Sequence, residues 1–182
     1  MIVLDTNVVS EPMKLEGHAG VLAWLDQQAA ETLYLTTTSL AELLVGIEIL
    51  PRGKRKQGLD AALSELLFRL FGERILAFDQ KAATVYAPLI GRARKAGHAI
   101  SMADGQIAAI AVAHGFAVAT RDHVPFKAAG VRTINPWLVG ERSRGVGCRL
   151  KVSRDCHSER REGSPRMAHR ASLAGDPSRR SG

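Results

Sequence analysis

Four carboxylates that border apolar segments are the residues of this sequence best suited to chemistry. They are Asp5 after Met1–Leu4, Glu42 after Thr38–Ala41, Asp104 at the start of an apolar helical pattern, and Asp122 after Phe116–Arg121. A carboxylate beside an apolar segment is costly to bury unless a partner compensates its charge. Carboxylate oxygens prefer hard divalent cations such as Mg²⁺ and Mn²⁺, which commonly act on phosphate esters. Four such residues, if they meet in space, predict a cation-dependent site.

Strand-like and helical patterns alternate along the chain. The strand-like runs are Ile2–Leu4, Leu33–Thr36, Ile75–Phe78, Phe116–Thr120 and Val131–Ile134. The helical patterns are His18–Ala29, Ser39–Leu50, Leu59–Phe71, Gln80–Ala96 and Ala103–His114. This alternation predicts an α/β fold with a central parallel sheet covered on both faces. Ligands of such sheets bind at the carboxyl ends of the strands, where the pattern places Asp5 and Asp122.

Each carboxylate also has a purely structural interpretation. Ser39 and Glu42 match a helix capping box, and Ser101 and Asp104 match a looser version of it. Asp5 suits a turn or a helix cap after a strand, and Asp122 suits the cap of a short following helix. Asp79 follows a strand as well and is predicted to be a cap only. Glu11 is predicted to lie on a solvated surface.

The charge of the chain is concentrated at its C-terminus. The 182 residues carry a formal net charge of +7. Residues 141–182 hold 11 Lys and Arg against 5 Asp and Glu, whereas residues 1–140 hold 14 against 13. Apolar periodicity also ends near Gly140, so the sequence predicts a folded domain over 1–140 and a basic, disordered tail over 141–182. Both cysteines, Cys148 and Cys156, lie in this tail and do not favour a disulfide framework or a zinc site.

Two further expectations concern location and nucleic acid. No apolar run is long enough to span a bilayer and the chain opens directly on a strand-like segment, so we expect no membrane association and a cytoplasmic protein. A basic group follows Pro51 and consists of Arg52, Lys54, Arg55 and Lys56. This group is typical of a solvated connector between helices, and contact with RNA is the alternative.

A set of ordered motifs resembles one family of proteins. The motifs are Met1–Glu11, Thr38–Ile47, Leu50–Arg55, Phe78–Ala83, Ala103–Ala111, Ala119–Asp122 and Ile134–Trp137. Together they resemble the PIN domains of VapC-type toxins, in particular the FitB-like branch of type II toxin–antitoxin systems. The resemblance extends from residue 1 to about residue 138, and its specificity lies in the order of the motifs.

The resemblance implies a fold, an activity and a set of site residues. The fold is a PIN-like three-layer α/β/α sandwich, and the activity is that of an Mg²⁺-dependent endoribonuclease with Mn²⁺ as the alternative metal. The catalytic residues implied are Asp5, Glu42, Asp104 and Asp122, of which Asp5, Asp104 and Asp122 would bind the metal. Thr6, Asn7 and Thr120 match the polar residues around that site. A homodimer, an RNA substrate and a cognate antitoxin are the partners implied.

The sequence departs from the family in two places, and two rival functions remain open. Pro125 stands before Phe126, where the family commonly has an acidic residue or histidine, and the tail extends beyond the usual end of the family. One alternative is a nuclease-silent PIN subunit that acts mainly as the partner of a DNA-binding antitoxin in an operator complex. A nuclease directed at DNA is the other.

Overall fold

The computed structural model describes residues 1–139, and these contain five strands and eight helices. The strands are β1 (Ile2–Leu4), β2 (Leu33–Thr36), β3 (Ile75–Leu76), β4 (Ala117–Ala119) and β5 (Thr133–Ile134). The helices are α1 (Thr6–Val9), α2 (Ala19–Asp26), α3 (Thr37–Glu48), α4 (Lys54–Leu66), α5 (Gln80–Lys95), α6 (Met102–His114), α7 (His123–Ala128) and α8 (Pro136–Val139). Short 3₁₀ turns cover Glu11–Met13 and Ala30–Thr32, and a π-helical turn, Leu67–Phe71, continues α4. The predicted tail, 141–182, lies outside the described residues.

The strands form one parallel sheet in the order β3-β2-β1-β4-β5. The central strand β1 pairs with β4 so that Leu4 lies opposite Ala119. The next residue along each strand is therefore Asp5 on one and Thr120 on the other. The backbone N–H of Asp5 donates to the carbonyl of Ala119 at 3.0 Å, which fixes this alignment.

Two separate apolar cores cover the two faces of the sheet. Leu4, Leu33 and Leu35 contribute to a core with helices α1 to α4. Val3 and Val118 contribute to the opposite core, which α5, α6 and α7 complete. Adjacent strand residues such as Val3 and Leu4 point to opposite faces because the side chains of a strand alternate. The predicted three-layer α/β/α sandwich with a central parallel sheet is confirmed.

The start of α3 differs from the sequence prediction. Strand β2 leads into α3 without an intervening loop, because Thr36 ends the strand and also caps the helix. Its hydroxyl accepts a hydrogen bond from the backbone N–H of Ser39 at 2.9 Å. Ser39 is therefore the third residue of the helix and not its cap. The capping-box interpretation of Glu42 is wrong, since Glu42 lies a full turn further along the helix.

The basic connector after Pro51 is also shorter than predicted. Helix α4 begins at Lys54, so Lys54, Arg55 and Lys56 belong to its first turn. The Lys56 ammonium lies 2.8 Å from a Glu48 carboxylate oxygen and 2.9 Å from the Glu48 carbonyl oxygen. These two bonds join the start of α4 to the end of α3 and stabilise a helical turn that lacks apolar periodicity.

The outer strands are shorter than their sequence patterns. β3 keeps only Ile75 and Leu76, and β5 keeps only Thr133 and Ile134. Each is an edge strand with a single hydrogen-bonded neighbour, which limits the length of its pairing. Among residues 1–139, no helix has both the length and the apolar character needed to cross a membrane.

Candidate active site

The Asp5 carboxylate is the buried centre of the candidate site. Asp5 follows the last residue of β1 and caps α1, and only 5% of its surface is exposed. Its Oδ1 accepts a hydrogen bond from the backbone N–H of Thr6 at 2.7 Å. Its Oδ2 accepts bonds from the Asn7 amide at 2.6 Å and the Thr120 hydroxyl at 2.7 Å. Asp5 is therefore a helix cap, as its structural interpretation predicted, and also the hub of a polar network.

Thr120 and Asn7 hold this network together across the β1–β4 pair. Thr120 is fully buried, and its hydroxyl donates to Asp5 while accepting from the Asn7 amide at 3.3 Å and the Asp122 backbone N–H at 3.1 Å. The Asn7 side-chain oxygen accepts from the backbone N–H of Arg121 at 3.2 Å. Buried polar groups with several hydrogen bonds are held in defined orientations. The Asp5 carboxylate is consequently fixed in position.

Glu42 joins the site through Thr6. The Thr6 hydroxyl donates to Glu42 Oε2 at 2.6 Å, although the two residues lie 36 positions apart in sequence. Thr6 thereby connects the first turn after β1 to the middle of α3. Glu42 is exposed to solvent, in contrast to Asp5. Its carboxylate is thus directed to the site without being enclosed by the protein.

Asp104 approaches the site from the first turn of α6. The Ser101 hydroxyl caps this helix by accepting from the backbone N–H of Asp104 at 3.0 Å, and it also donates to Asp104 Oδ2 at 2.7 Å. The predicted cap at Ser101 is therefore confirmed. Gly105 is buried, and a Cβ atom there would lie 2.8 Å from side-chain atoms of both Tyr86 and Ile90. The absence of a side chain at Gly105 allows α5 to pack closely beside Asp104.

Asp122 is the most loosely attached of the four carboxylates. It is exposed and occupies the cap position of α7, but its side chain makes no capping hydrogen bond. Only its backbone N–H joins the network, by donating to Thr120. The capping interpretation of Asp122 is therefore wrong, and its carboxylate is free to turn toward a ligand. At Asp79, by contrast, the predicted cap is confirmed by a 2.8 Å bond from the Ala82 N–H.

Burial and neighbouring charges raise the pKa of Asp5 from 3.8 to about 6. Desolvation is the largest cause, because removing a carboxylate from water disfavours its charged form. Hydrogen bonds from Thr120 and Thr6 oppose the rise, and repulsion from the Asp104 and Glu42 carboxylates adds to it. Asp104 and Glu42 are therefore near enough to Asp5 to raise its pKa, and their joint action in one site stays a prediction.

The donor chemistry of the site suits a divalent cation, but its carboxylates do not form a closed cage. Asp5 uses three of its roughly four acceptor positions within the protein, which leaves one on Oδ1. A hard oxygen donor with a raised pKa favours a cation that would offset the repulsion around it. Within residues 1–139, no three His, Cys, Asp or Glu side chains lie close enough together to hold a metal ion. Movement of Asp104 or Asp122 would have to complete the ligand set.

A cavity beside Glu42 was not predicted from the sequence. Its volume is about 1060 Å³, and it lies between the 3₁₀ turn Glu11–Met13 and helices α3 and α4.

Glu11, predicted to be solvated, is only 5% exposed and accepts bonds from the Lys14 ammonium at 2.6 Å and the His18 N–H at 2.8 Å. These bonds lower the pKa of Glu11 despite its burial. The three-residue spacing of Glu11 and Lys14 was the available signal for this ion pair.

The fold and the site together define the class of protein to which the chain belongs. A parallel sheet covered on both faces, with acidic and polar side chains at its carboxyl edge, is typical of α/β proteins that bind a ligand at that edge. A model of the PIN domain family matches residues 2–131. The chain belongs to the PIN domain family, in agreement with the resemblance found in its motifs.

The chain is also similar to a plasmid stability protein, a VapC ribonuclease and a toxin. It is 53% identical to the plasmid stability protein StbB of Pseudomonas syringae pv. tomato, over 75% of this chain and 99% of that protein. It is 50% identical to the VapC ribonuclease Y4jK of Sinorhizobium fredii, over 75% of this chain and 98% of that protein. It is 44% identical to the toxin FitB of Neisseria gonorrhoeae, over 75% of this chain and 99% of that protein. The chain is thus a toxin-type PIN-domain protein.

A solved structure agrees in both sequence and fold. The structure of FitAB bound to an IR36 DNA fragment contains a chain that superimposes with a TM-score of 0.72 at 43% identity. The match covers 75% of this chain and 96% of that chain. The matched share of this chain is the same as for the three relatives.

Proposed function

We propose that the chain is the toxin of a type II toxin–antitoxin system and acts as an Mg²⁺- or Mn²⁺-dependent endoribonuclease. The observation that carries this proposal is the hydrogen-bond network that joins Asp5 after β1, Glu42 on α3 and Thr120 after β4. Membership of the PIN family and similarity to a VapC ribonuclease support the same activity. The catalytic residues proposed are Asp5, Glu42, Asp104 and Asp122, with Thr6, Asn7 and Thr120 in supporting roles.

Asp5 would anchor the cation, with Asp104 and Asp122 as the further ligands. The bound cation would supply charge neutralisation at a phosphate oxygen and a lower pKa for a nearby water. Thr120 and Asn7 keep the Asp5 carboxylate from rotating, because both donate to its Oδ2. The unfilled acceptor position of Oδ1 would then be available to the cation. Asp122, which has no side-chain bond in its cap position, would turn toward the same ligand.

Glu42 would orient the attacking water and accept its proton. Thr6 holds Glu42 Oε2, which leaves Oε1 as the acceptor for a water molecule. Proton acceptance by a positioned carboxylate assists hydrolysis of a phosphodiester without a covalent enzyme intermediate. Glu42 suits this role because its exposure to solvent allows exchange of the water between turnovers.

The partners and the location follow from the proposed activity. We propose an RNA substrate, a cognate antitoxin and a homodimer, with action in the cytoplasm, where most RNA is found. The structure of FitAB bound to an IR36 DNA fragment supports the antitoxin as a partner.

Cleavage of a labelled oligoribonucleotide by the full chain tests the proposal. The assay compares Mg²⁺, Mn²⁺ and EDTA for the wild type, Asp5→Asn and Asp79→Asn. Asp79 is the matched control, because it is an aspartate that follows a strand and caps a helix, but its strand is the outer strand β3, which β2 separates from β1. We expect metal-dependent cleavage by the wild type and by Asp79→Asn, and none by Asp5→Asn. Full cleavage in EDTA would exclude the metal-dependent mechanism.

The DNA-bound neighbour also favours a second role in an operator complex. In this role the chain would bind a DNA-binding antitoxin while its own nuclease remains silent. A wild type that binds the antitoxin and cleaves neither RNA nor DNA would support this alternative. Competition between RNA and DNA oligonucleotides separates a ribonuclease from a nuclease directed at DNA.

A further inference from the structure

The cavity beside Glu42 is continuous with the candidate active site. Thr6 and Glu42 form part of its lining, so a ligand in the cavity would contact Glu42 directly. Its volume of about 1060 Å³ lies at the upper end of the range for ligand pockets. The apolar part of its wall includes Leu43, Leu59 and Leu15, the last of which is fully exposed. Such a wall suits the flat face of a nucleobase.

Two glycines keep the cavity open. Gly46 on α3 and Gly58 on α4 both line it, and a Cβ atom at either position would meet nothing within 4 Å. Glycine inside a helix is less stable than alanine, so a packing or functional reason is expected for it. Close packing between helices does not supply that reason here. The backbone at these two positions is accessible to a ligand in the cavity.

Two uncompensated cations line the same cavity. Lys54 and Arg55 lie in the first turn of α4, where the helix dipole disfavours positive charge. Within the described part of the chain, 1–139, neither forms an ion pair, whereas Lys56 is paired with Glu48 and Lys14 with Glu11. A phosphate group between Lys54 and Arg55 would neutralise both charges. Its negative charge would also interact favourably with the helix dipole at the N-terminus of α4. The charges of Lys54 and Arg55 are thus complementary to a nucleic-acid backbone, whereas the Glu42 carboxylate lies at the end of the cavity next to the candidate active site.

We propose that this cavity holds a nucleotide next to the scissile phosphate of the RNA substrate, with Lys54 and Arg55 as positioning residues for its phosphate. The inference rests on the proposed ribonuclease function and adds a substrate subsite to it. The base would lie against the apolar wall, and the backbone would continue past Glu42 to Asp5. Single-stranded RNA suits such a subsite, because its bases are free to leave the stack and contact protein.

The first test removes the two cations and measures cleavage kinetics. Lys54→Gln with Arg55→Gln is compared with Arg52→Gln with Lys95→Gln, which changes the net charge equally at exposed positions outside the cavity. With a labelled single-stranded oligoribonucleotide of mixed sequence, we expect KM to rise about tenfold in the cavity variant, with kcat within about twofold. The dependence of log affinity on log salt should become shallower by roughly 0.7 for each phosphate that the variant no longer neutralises. The control variant should keep the KM of the wild type. Its affinity should also depend more steeply on salt than that of the cavity variant.

The second test narrows the cavity without changing charge. Gly46→Ala with Gly58→Ala should raise the Tm, because alanine favours helix formation at both positions. The same change should raise KM severalfold, because the new methyl groups occupy the space of the nucleotide. Gly91→Ala is the control, since Gly91 also lies inside a helix with open space around it but outside the cavity.

The outcomes separate this subsite from the proposed function. A wild type that cleaves no RNA overturns the function and the subsite together. Asp5-dependent cleavage with the same KM in cavity and control variants overturns the subsite alone. Weaker antitoxin binding with unchanged KM would assign the cavity to the antitoxin and also overturn it. A higher KM for both sets of cavity variants and for neither control confirms the subsite.

Discussion

The two sides of the candidate active site differ in how firmly they are held. On one side, Asp5 is buried and its carboxylate accepts three hydrogen bonds from Thr6, Asn7 and Thr120. On the other side, Glu42 is exposed, receives one bond from Thr6 and borders an open cavity. The protein thus fixes one carboxylate in advance and leaves the other accessible to substrate.

The two carboxylates therefore differ in the free energy that their burial costs and in their access to solvent. Burying Asp5 beside two other carboxylates is unfavourable, and its raised pKa records that cost. Glu42 avoids the same cost by remaining in solvent. A buried anchor with an exposed partner is suited to bind a cation firmly and still exchange water and product.

The largest effect is expected from Asp5→Asn. The substitution keeps the shape of the side chain but removes the charge from the buried carboxylate. We expect a loss of kcat of about a thousandfold, since charge stabilisation by a metal is worth several kcal/mol. Cleavage of a labelled oligoribonucleotide measures it, with circular dichroism to check the fold. Activity within tenfold of wild type would show that Asp5 is only a cap.

The second effect is on stability and follows from the raised pKa of Asp5. Between pH 3.8 and about 6 the folded state binds this proton more tightly than the unfolded state. The stability provided by protonated Asp5 is therefore complete below pH 3.8 and is lost as pH rises through about 6. The loss is about 3 kcal/mol at about 1.36 kcal/mol for each pKa unit.

Urea denaturation in EDTA from about pH 4 to about pH 8 measures this dependence. Asp5→Asn lacks the titrating group, so its stability relative to wild type should increase as pH rises. Asp79→Asn should follow the wild-type curve. Parallel curves for wild type and Asp5→Asn would show that the pKa of Asp5 is not raised in the folded protein.

A smaller effect is expected from Glu42→Gln. Glutamine can still accept the bond from Thr6 but cannot accept a proton from water. We expect kcat to fall about a hundredfold, the lower end of the range for general-base catalysis. Stability should stay within about 0.5 kcal/mol, since Glu42 is exposed and is not a helix cap. Wild-type kcat in this variant would remove Glu42 from the mechanism.

The smallest effect is expected from Asp122→Asn. Its carboxylate is exposed and forms no capping bond, so the substitution should leave the Tm unchanged. As the proposed ligand that makes no side-chain hydrogen bond in its cap position, Asp122 should contribute about tenfold to metal affinity, the lower end of the range for residues around a metal site. Titration of the cleavage rate with Mn²⁺ measures this affinity. An unchanged Mn²⁺ dependence would leave Asp5 and Asp104 as the only aspartate ligands.

The firmly held side of the site was the more predictable from sequence. Asp5 ends a continuous apolar run, and its place at the carboxyl edge of the sheet follows from its position directly after a strand of a parallel sheet. Thr6, Asn7 and Thr120 were identified through the resemblance to PIN domains, and the structure brings all three into contact with the site. That these residues act in catalysis remains a prediction.

The accessible side was less predictable, because its elements begin where no local pattern marks them. Thr36 is both the end of a strand and a helix cap, which hid the true start of α3. Lys54, Arg55 and Lys56 have no apolar periodicity, and the tertiary contact between Lys56 and Glu48 helps to stabilise that first turn. A cavity depends on the spacing between helices, which a single sequence does not encode locally.

The bond between Asp5 and Thr120 spans 115 positions of the chain. During synthesis on a ribosome, Asp5 is among the first residues added, whereas Thr120 and the whole of β4 are added much later. No N-terminal fragment that lacks Thr120 has a complete network. If RNA cleavage depends on this network, as proposed, a partly synthesised chain would be inactive until Thr120 has been added.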